Sequence, residues 1–227
     1  MSEASSRVPN GNRSRYFLIG AAVAVLAVVL IVFYWRNMSD TPPEATYTQA
    51  EAYAPMEQAV AETVEVLPDF PGFSARGWYE LPCSHSGVDD PDYTNIEISY
   101  SFSDEVSADA LARQQYVGVL RDQWTQLGYS VEVDEGAGEF YDLSVVREDG
   151  IKLWYRVARV VSLKVQSGCV PASESSEIPY IPPSGGVVPG SANDGVADYF
   201  PDGIPTENLT ADAVDPFATP TGVPSDE

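Results

Sequence analysis

The 227-residue sequence has one histidine, two cysteines and only 12 Lys+Arg against 34 Asp+Glu, which gives a formal net charge of −22. So few basic residues exclude a nucleic-acid backbone as a ligand, because that binding needs clustered cations. The single histidine, His85, excludes sites that need two, and two cysteines cannot form a tetrahedral cysteine zinc site. The sequence also lacks the GxSxG, P-loop and HExxH motifs. It therefore predicts no catalytic residues, no metal site and no cofactor.

One long apolar run stands near the start of the chain. Residues 16–35, YFLIGAAVAVLAVVLIVFYW, contain no charged side chain. A helix of 20 residues spans about 30 Å, which is the thickness of the hydrocarbon core of a bilayer. Aromatic rings at both ends suit the two membrane–water interfaces. The run predicts a single transmembrane helix.

The flanks of this run predict its orientation. Residues 1–15 carry Arg7, Arg13 and Arg15 against Glu3, whereas the residues after the run are mainly acidic. By the positive-inside rule, residues 1–15 are cytoplasmic and the rest of the chain is extracytoplasmic. A cleaved signal peptide is the alternative, but the run is longer than a signal h-region and no small-residue cleavage site follows it. We expect a single-pass protein of the cell membrane.

A stalk and an amphipathic helix are predicted for residues 36–75. Tyr53, Met56, Val60 and Val64 recur at three- and four-residue spacing, which is one face of a helix. This face could serve as a spacer or contact a partner helix. We favour packing against the domain that follows, since amphipathic helices usually bury their apolar face within their own protein.

Residues 76–170 show the pattern of an extracytoplasmic α+β domain. A two-residue alternation of polar and apolar side chains predicts strands, and a helical stripe precedes Gly128, which is suited to ending a helix in the left-handed conformation. The predicted strands are 96–102, 129–133, 140–146, 151–157 and 161–165, and the predicted helix is 105–127. This order predicts a small antiparallel sheet with one or two helices on one face.

Two cysteines bracket the predicted strands. Cys83 precedes the first and Cys169 follows the last. Cysteines of an exported domain usually pair, so we expect a Cys83–Cys169 disulfide, with a reactive thiol as the alternative. The bond would stabilise the domain by about 4–5 kcal/mol on the chain-entropy estimate.

The last part of the chain, residues 171–227, has ten Pro, six Gly, ten Asp+Glu and no Lys or Arg. Its apolar residues follow no period. Such a composition favours disorder, because too little apolar surface is available to offset the entropy of ordering. We expect a disordered, acidic Pro/Gly-rich tail.

A cluster of cations interrupts the acidic background in the last predicted hairpins. Lys152, Trp154 and Arg156 share one strand face, and Lys164 could lie beside them. Such a face could bind an anionic polymer or a carboxylate-bearing partner. Alternatively, the cations pair with local acids such as Glu97 and Glu132, or the acidic tail folds back on them.

Several short motifs resemble a known group of proteins. They are the segment from Trp78 to Cys83, the helix end Leu127-Gly128-Tyr129, the turn Glu148-Asp149-Gly150 and the closing Ser167-Gly168-Cys169-Val170. Over residues 76–170 the chain resembles small secreted or membrane-anchored, lipoprotein-like domains of high-GC Gram-positive bacteria. The resemblance implies a cell-surface location and a Cys83–Cys169 pair, and it implies no activity.

Taken together, these features predict a non-enzymatic binding protein of the cell envelope, integral to the membrane, whose partner is an envelope protein or polymer. A small carboxylate-dependent envelope hydrolase is one alternative, since carboxylates are plentiful. A sensor that signals through a membrane partner is another.

Overall fold

The computed structural model describes residues 25–31, 45–85, 88–196, 199–200 and 204. Residues 25–31 are helical and belong to the predicted transmembrane run. The rest of that run and the predicted cytoplasmic segment 1–15 lie outside the described residues. Among the described residues, no helix is both long enough and apolar enough to cross a bilayer. The membrane span therefore stays a prediction.

The amphipathic helix is α1, Gln49–Glu65. It begins where the backbone N–H of Thr48 donates to Glu51 Oε2 at 2.9 Å, so a first-turn carboxylate satisfies a donor at the helix end. Tyr53, Met56 and Val60 are fully buried in the core. The helix thus packs on its own domain, as favoured from the sequence.

The remaining elements form a seven-stranded sheet and a second, irregular helical segment. In chain order they are β1 (Ala75–His85), β2 (Val88–Ser101), α2 (Asp104–Ala108), a π-helical turn (Leu111–Gln115), α3 (Tyr116–Gln126), β3 (Ser130–Ala137), β4 (Phe140–Val146), β5 (Lys152–Val157), β6 (Ser162–Pro171), a 3-10 turn (Ser175–Glu177) and β7 (Asp194–Gly195). The α+β class is confirmed. Gly128 has φ +75°, and the N–H of Tyr129 bonds the carbonyl of Trp124, so the predicted left-handed helix end is also confirmed.

The sheet has the strand order β3-β4-β5-β6-β2-β1-β7. Neighbours from β3 through β6 to β2 are antiparallel, whereas β1 and β7 pair in parallel. The sheet is therefore mixed and not purely antiparallel as predicted. Strands β1 and β7 were not predicted, because neither shows a clean two-residue alternation of polar and apolar side chains.

The helices lie against one face of this sheet. Tyr100 of β2 donates a hydrogen bond to Glu57 of α1, and Tyr155 of β5 donates one to the carbonyl of Ala112 in the π-helical turn, at 2.6 and 2.7 Å. Both tyrosines are fully buried. The inward residues of β2, β5 and β6 thus form a core between sheet and helices.

The expectation of disorder from residue 171 onward is wrong for residues 172–196. Ile178, Tyr180, Val187 and Val196 are buried in the core, and Val196 is completely inaccessible. Proline and glycine allow this segment to follow the surface irregularly, so its apolar residues reach the core without any period that the sequence could reveal. Residues 205–227 of the predicted tail lie outside the described residues.

Candidate functional site

The four predicted binding residues lie on the sheet face opposite the helices, which we call the open face. Leu153, Tyr155 and Val157 of β5 point into the core, so the alternate residues Lys152, Trp154 and Arg156 point the other way. In the register with β6, Trp154 lies opposite Lys164. The structure thus brings all four together, as the sequence predicted.

Each of the three cations on this face is paired with a carboxylate of another strand. Lys164 Nζ lies 2.6 Å from Glu97 Oε1, and Arg156 Nε lies 3.4 Å from Asp142 Oδ1. Lys152 pairs with Glu132, and its ammonium group also lies 4.4 Å from the centre of the Trp154 ring. The pairing with Glu97 and Glu132, raised above as an alternative, is therefore formed. These pairs contribute no net charge to the open face.

A buried hydroxyl belongs to the same face. Ser144 of β4 lies opposite Trp154 in the register and is completely inaccessible. Among the described residues its Oγ has no hydrogen-bond partner. A buried polar group without a partner is rare, and this one lies beside the central aromatic ring of the open face.

The open face extends to β1, where sequence reasoning missed an exposed aromatic residue. Tyr79 is 51% exposed. A Cβ atom placed on Gly77 would lie 2.6 Å from Cε2 of Tyr79, so the edge of the ring lies close to Gly77. A hollow of about 430 Å³ adjoins it, lined among others by Ser99 and Ser101. The sequence signal that could have indicated this exposed ring is a glycine two positions before a tyrosine in the same strand.

The other side of β1 carries a buried ionic cluster, which sequence reasoning also missed. Arg76 Nη1 donates to Glu57 Oε1 at 2.7 Å and to the carbonyl of Ile181 at 2.8 Å, and its Nε donates to Asp194 Oδ1 at 2.7 Å. Its Nη2 lies within 2.7 Å of the same Asp194 oxygen, in an ion pair too bent for a hydrogen bond. The Arg76 and Asp194 side chains are 0% exposed and that of Glu57 is 3% exposed.

The environment of this cluster shifts the pKa values of its members. Burial raises the pKa of the Glu57 carboxyl, against the opposing effect of Arg76 and of the Tyr100 hydroxyl. Burial, together with the nearby Glu57 carboxylate, places the pKa of Tyr100 well above its ordinary value. Both carboxylates bind Arg76 in the interior, so their role is to join α1, β1 and β7.

An acidic cleft of about 660 Å³ lies at the start of α1, beside β1. Glu80, Asp89 and Asp90 line it. Glu80 Oε1 accepts hydrogen bonds of 2.5 Å from both Gln49 Nε2 and the Tyr199 hydroxyl. Burial, with a smaller effect of Glu80, raises the pKa of Tyr199. Within the described part of the chain, no group of three or more His, Cys, Asp or Glu side chains could hold a metal ion.

The predicted disulfide between Cys83 and Cys169 is formed. It joins β1 to β6, with the Cα atoms 5.8 Å apart. The reactive-thiol alternative is thereby excluded in this structure. Because β2 lies between β1 and β6 in the sheet, the bond fixes the strands that carry much of the open face.

Comparison with known proteins gives one distant structural neighbour. No protein-family model matches the chain, and no curated protein matches it. The fold is similar to the crystal structure of a DUF4853 family protein from Actinomyces odontolyticus, with 13% identity and a TM-score of 0.38, over 70% of this chain and 83% of the other. A likeness this distant carries no argument about function.

Proposed function

We propose that this chain is a non-enzymatic, single-pass membrane protein whose extracytoplasmic domain binds a component of the cell envelope through the open face. The apolar run 16–35 and its arginine-rich N-terminal flank support the anchor and its orientation. The Cys83–Cys169 disulfide supports an oxidising compartment.

The observation that carries the binding proposal is the composition of the open face. The same face of the sheet presents Trp154, exposed Tyr79 and three ion-paired cations. Partner-binding surfaces are enriched in tryptophan, tyrosine and arginine, because these side chains combine large contact area with directional hydrogen bonds. The side chain of Arg156 is 56% exposed, so it can reach a partner.

Crosslinking and pull-down of the full chain from native membranes and cell-wall material test this proposal. We expect the double variant Trp154→Ala with Arg156→Ala to lose the captured component. A control is Leu127→Ala with Arg159→Ala, which removes one exposed apolar side chain and one arginine outside the open face. Leu127, at the end of α3, is 50% exposed and the Arg159 side chain is 86% exposed.

Capture that is equal in wild type and in both double variants would contradict binding through the open face.

The proposed orientation in the membrane is tested by a separate experiment. Protease added to intact cells should remove the domain after residue 36, and complete protection would contradict the proposed orientation. Turnover of wall material, abolished by one Asp or Glu substitution, would instead support the hydrolase alternative.

A further inference from the structure

We propose that Tyr79 and the hollow beside it form a sugar-binding site, in which one ring of a neutral polysaccharide stacks on Tyr79. This inference rests on the proposed function and names the ligand class of the open face. It starts from the position of the Tyr79 ring. A Cβ on Gly77 would lie 2.5 Å from Tyr79 Oη and 2.8 Å from its Cζ, so only glycine lets the ring lie this close to the strand.

One edge of the ring, at Oη and Cε2, lies closest to Gly77, and Tyr79 is 51% exposed, so the ring is held at its edge and keeps about half of its surface open to solvent. The face of a pyranose ring that carries axial C–H bonds is apolar and flat. Such a face packs well on an aromatic ring, whose π face carries partial negative charge. An exposed ring whose edge is held against the strand can therefore receive a sugar on the surface that it leaves open to solvent.

Groups that can bind sugar hydroxyls lie beside Tyr79 and on the next two strands of the open face, β2 and β6. Ser99 and Ser101 line the hollow of about 430 Å³. Lys164 lies opposite Ser99 in the sheet and donates a hydrogen bond to Glu97. Glu97 also accepts a 2.7 Å hydrogen bond from Gln166. Hydroxyl, amide, ammonium and carboxylate groups thus lie on neighbouring strands, about 4.8 Å apart. Together they offer the donors and acceptors that a sugar hydroxyl needs, because a hydroxyl both donates and accepts.

The charges of the open face and of the whole chain favour a neutral ligand over an anionic one. Lys152, Arg156 and Lys164 are each paired with a carboxylate, so none offers an uncompensated positive charge. The whole chain carries a net charge of −22, which repels a polyanion at long range. A hydroxyl-rich, uncharged polymer fits this surface better than an anionic one.

The composition of the hollow also disfavours a folded protein as the ligand. A protein partner usually inserts an aromatic or aliphatic anchor into an apolar pocket. Seven of the nine residues that line the hollow are glycine, alanine, serine or tyrosine, and Arg76 and Trp78 complete it, so no aliphatic side chain larger than alanine lines a pocket for such an anchor.

The test is to titrate the full chain in lipid nanodiscs with cellohexaose, maltohexaose and chitohexaose. Saturation-transfer difference NMR measures the binding. Nanodiscs replace maltoside detergents, which would compete for a sugar site. We expect at least one neutral hexasaccharide to bind and Tyr79→Ala to weaken binding about tenfold or more. Tyr79→Phe keeps the ring and should stay within about threefold of wild type, as stacking predicts.

Two further variants separate stacking from a general loss of structure. Gly77→Ala should displace the ring and weaken binding while the thermal unfolding midpoint stays close to that of wild type. Phe140→Ala removes an exposed ring elsewhere and should leave binding unchanged. The proposal is overturned if no neutral hexasaccharide binds, if binding survives Tyr79→Ala, or if only an anionic polymer such as hyaluronate binds.

The outcomes also separate this inference from the proposed function. Envelope capture that is kept by Tyr79→Ala but lost by Trp154→Ala with Arg156→Ala, without any sugar binding, refutes the sugar site alone. Equal capture by all variants refutes binding through the open face as well.

Discussion

Substituting Arg76→Met tests the buried ionic cluster most directly. The variant keeps a long apolar side chain and removes the only cation that Glu57 and Asp194 contact in the cluster. Breaking a buried ion pair costs about 3–5 kcal/mol, because a charge is left without its partner in the interior. Two carboxylates lose their partner here, but each keeps two other donors.

The hydrogen-bond donors that remain limit the expected loss in the free energy of unfolding. Glu57 keeps the Tyr100 hydroxyl at 2.6 Å and the Ser184 N–H at 3.3 Å. Asp194 keeps a tyrosine hydroxyl at 2.7 Å and a backbone N–H at 2.9 Å. We therefore expect the free energy of unfolding to fall by about 3–5 kcal/mol and not by twice that amount. This is a large share of the roughly 5–15 kcal/mol that stabilises a typical domain.

Urea unfolding of the full chain in nanodiscs, followed by tryptophan fluorescence, measures this loss. The matched control is Arg159→Met, whose side chain is 86% exposed and lies 3.9 Å from exposed Asp104. That variant should change stability by no more than about 0.5 kcal/mol. A loss below about 1 kcal/mol for Arg76→Met would refute the structural role of the cluster.

The pH dependence of the same variant supplies a second check. Without Arg76, burial raises the folded-state pKa of the Glu57 carboxyl further above its unfolded value, because the opposing effect of the guanidinium is gone. A raised folded pKa contributes stability that is present at low pH and is lost as pH rises through it. The deficit of Arg76→Met against wild type should therefore be smaller at pH 4.5 than at pH 7. A deficit that does not change with pH would contradict an ionised Glu57 carboxylate in the interior of the variant.

Two other predictions follow from the core. A chain ending at Pro171 loses Asp194 and the buried residues of 172–196, so its domain should unfold at a urea concentration well below that of the full chain, whereas a chain ending at Ile204 should not. Burial raises the pKa of Tyr53 to about 12, so the fold keeps this proton more tightly than the unfolded chain does. Stability should therefore fall as pH rises from about 10 towards 12, by up to about 3 kcal/mol from this group. Urea midpoints measured against pH should show a smaller alkaline loss for Tyr53→Phe than for wild type, and equal losses would contradict the assignment.

The sequence predicted those strands in which one face is apolar and the other polar. In β5 the buried Leu153, Tyr155 and Val157 alternate with polar residues and with Trp154, so the period of two was visible. Strand β1 was missed because its inward positions include Arg76, which is charged but buried. A pattern based on hydrophobicity assigns such a residue to the surface.

The candidate site was predicted only in the part where its residues lie close together in sequence. Lys152, Trp154 and Arg156 belong to one strand, and Lys164 follows in the next. The ionic cluster, in contrast, joins Arg76 to Glu57 and Asp194, which are 19 and 118 residues away. A local sequence pattern cannot predict contacts between residues so far apart in the chain. Strand β7 has only two residues and is too short to show a period.

The inner face of β1 stabilises the fold, and its outer face carries the proposed binding site. On the inner face, Arg76 is held by α1 and β7, and Trp78 Nε1 donates to the Tyr53 hydroxyl at 2.9 Å while the two rings stack 4.2 Å apart. On the outer face, Gly77 and Tyr79 belong to the proposed sugar-binding site. A binding site on a strand fixed this firmly loses little conformational entropy when a ligand binds. Changes on the inner face should therefore lower both stability and affinity, whereas Tyr79→Ala should lower affinity alone.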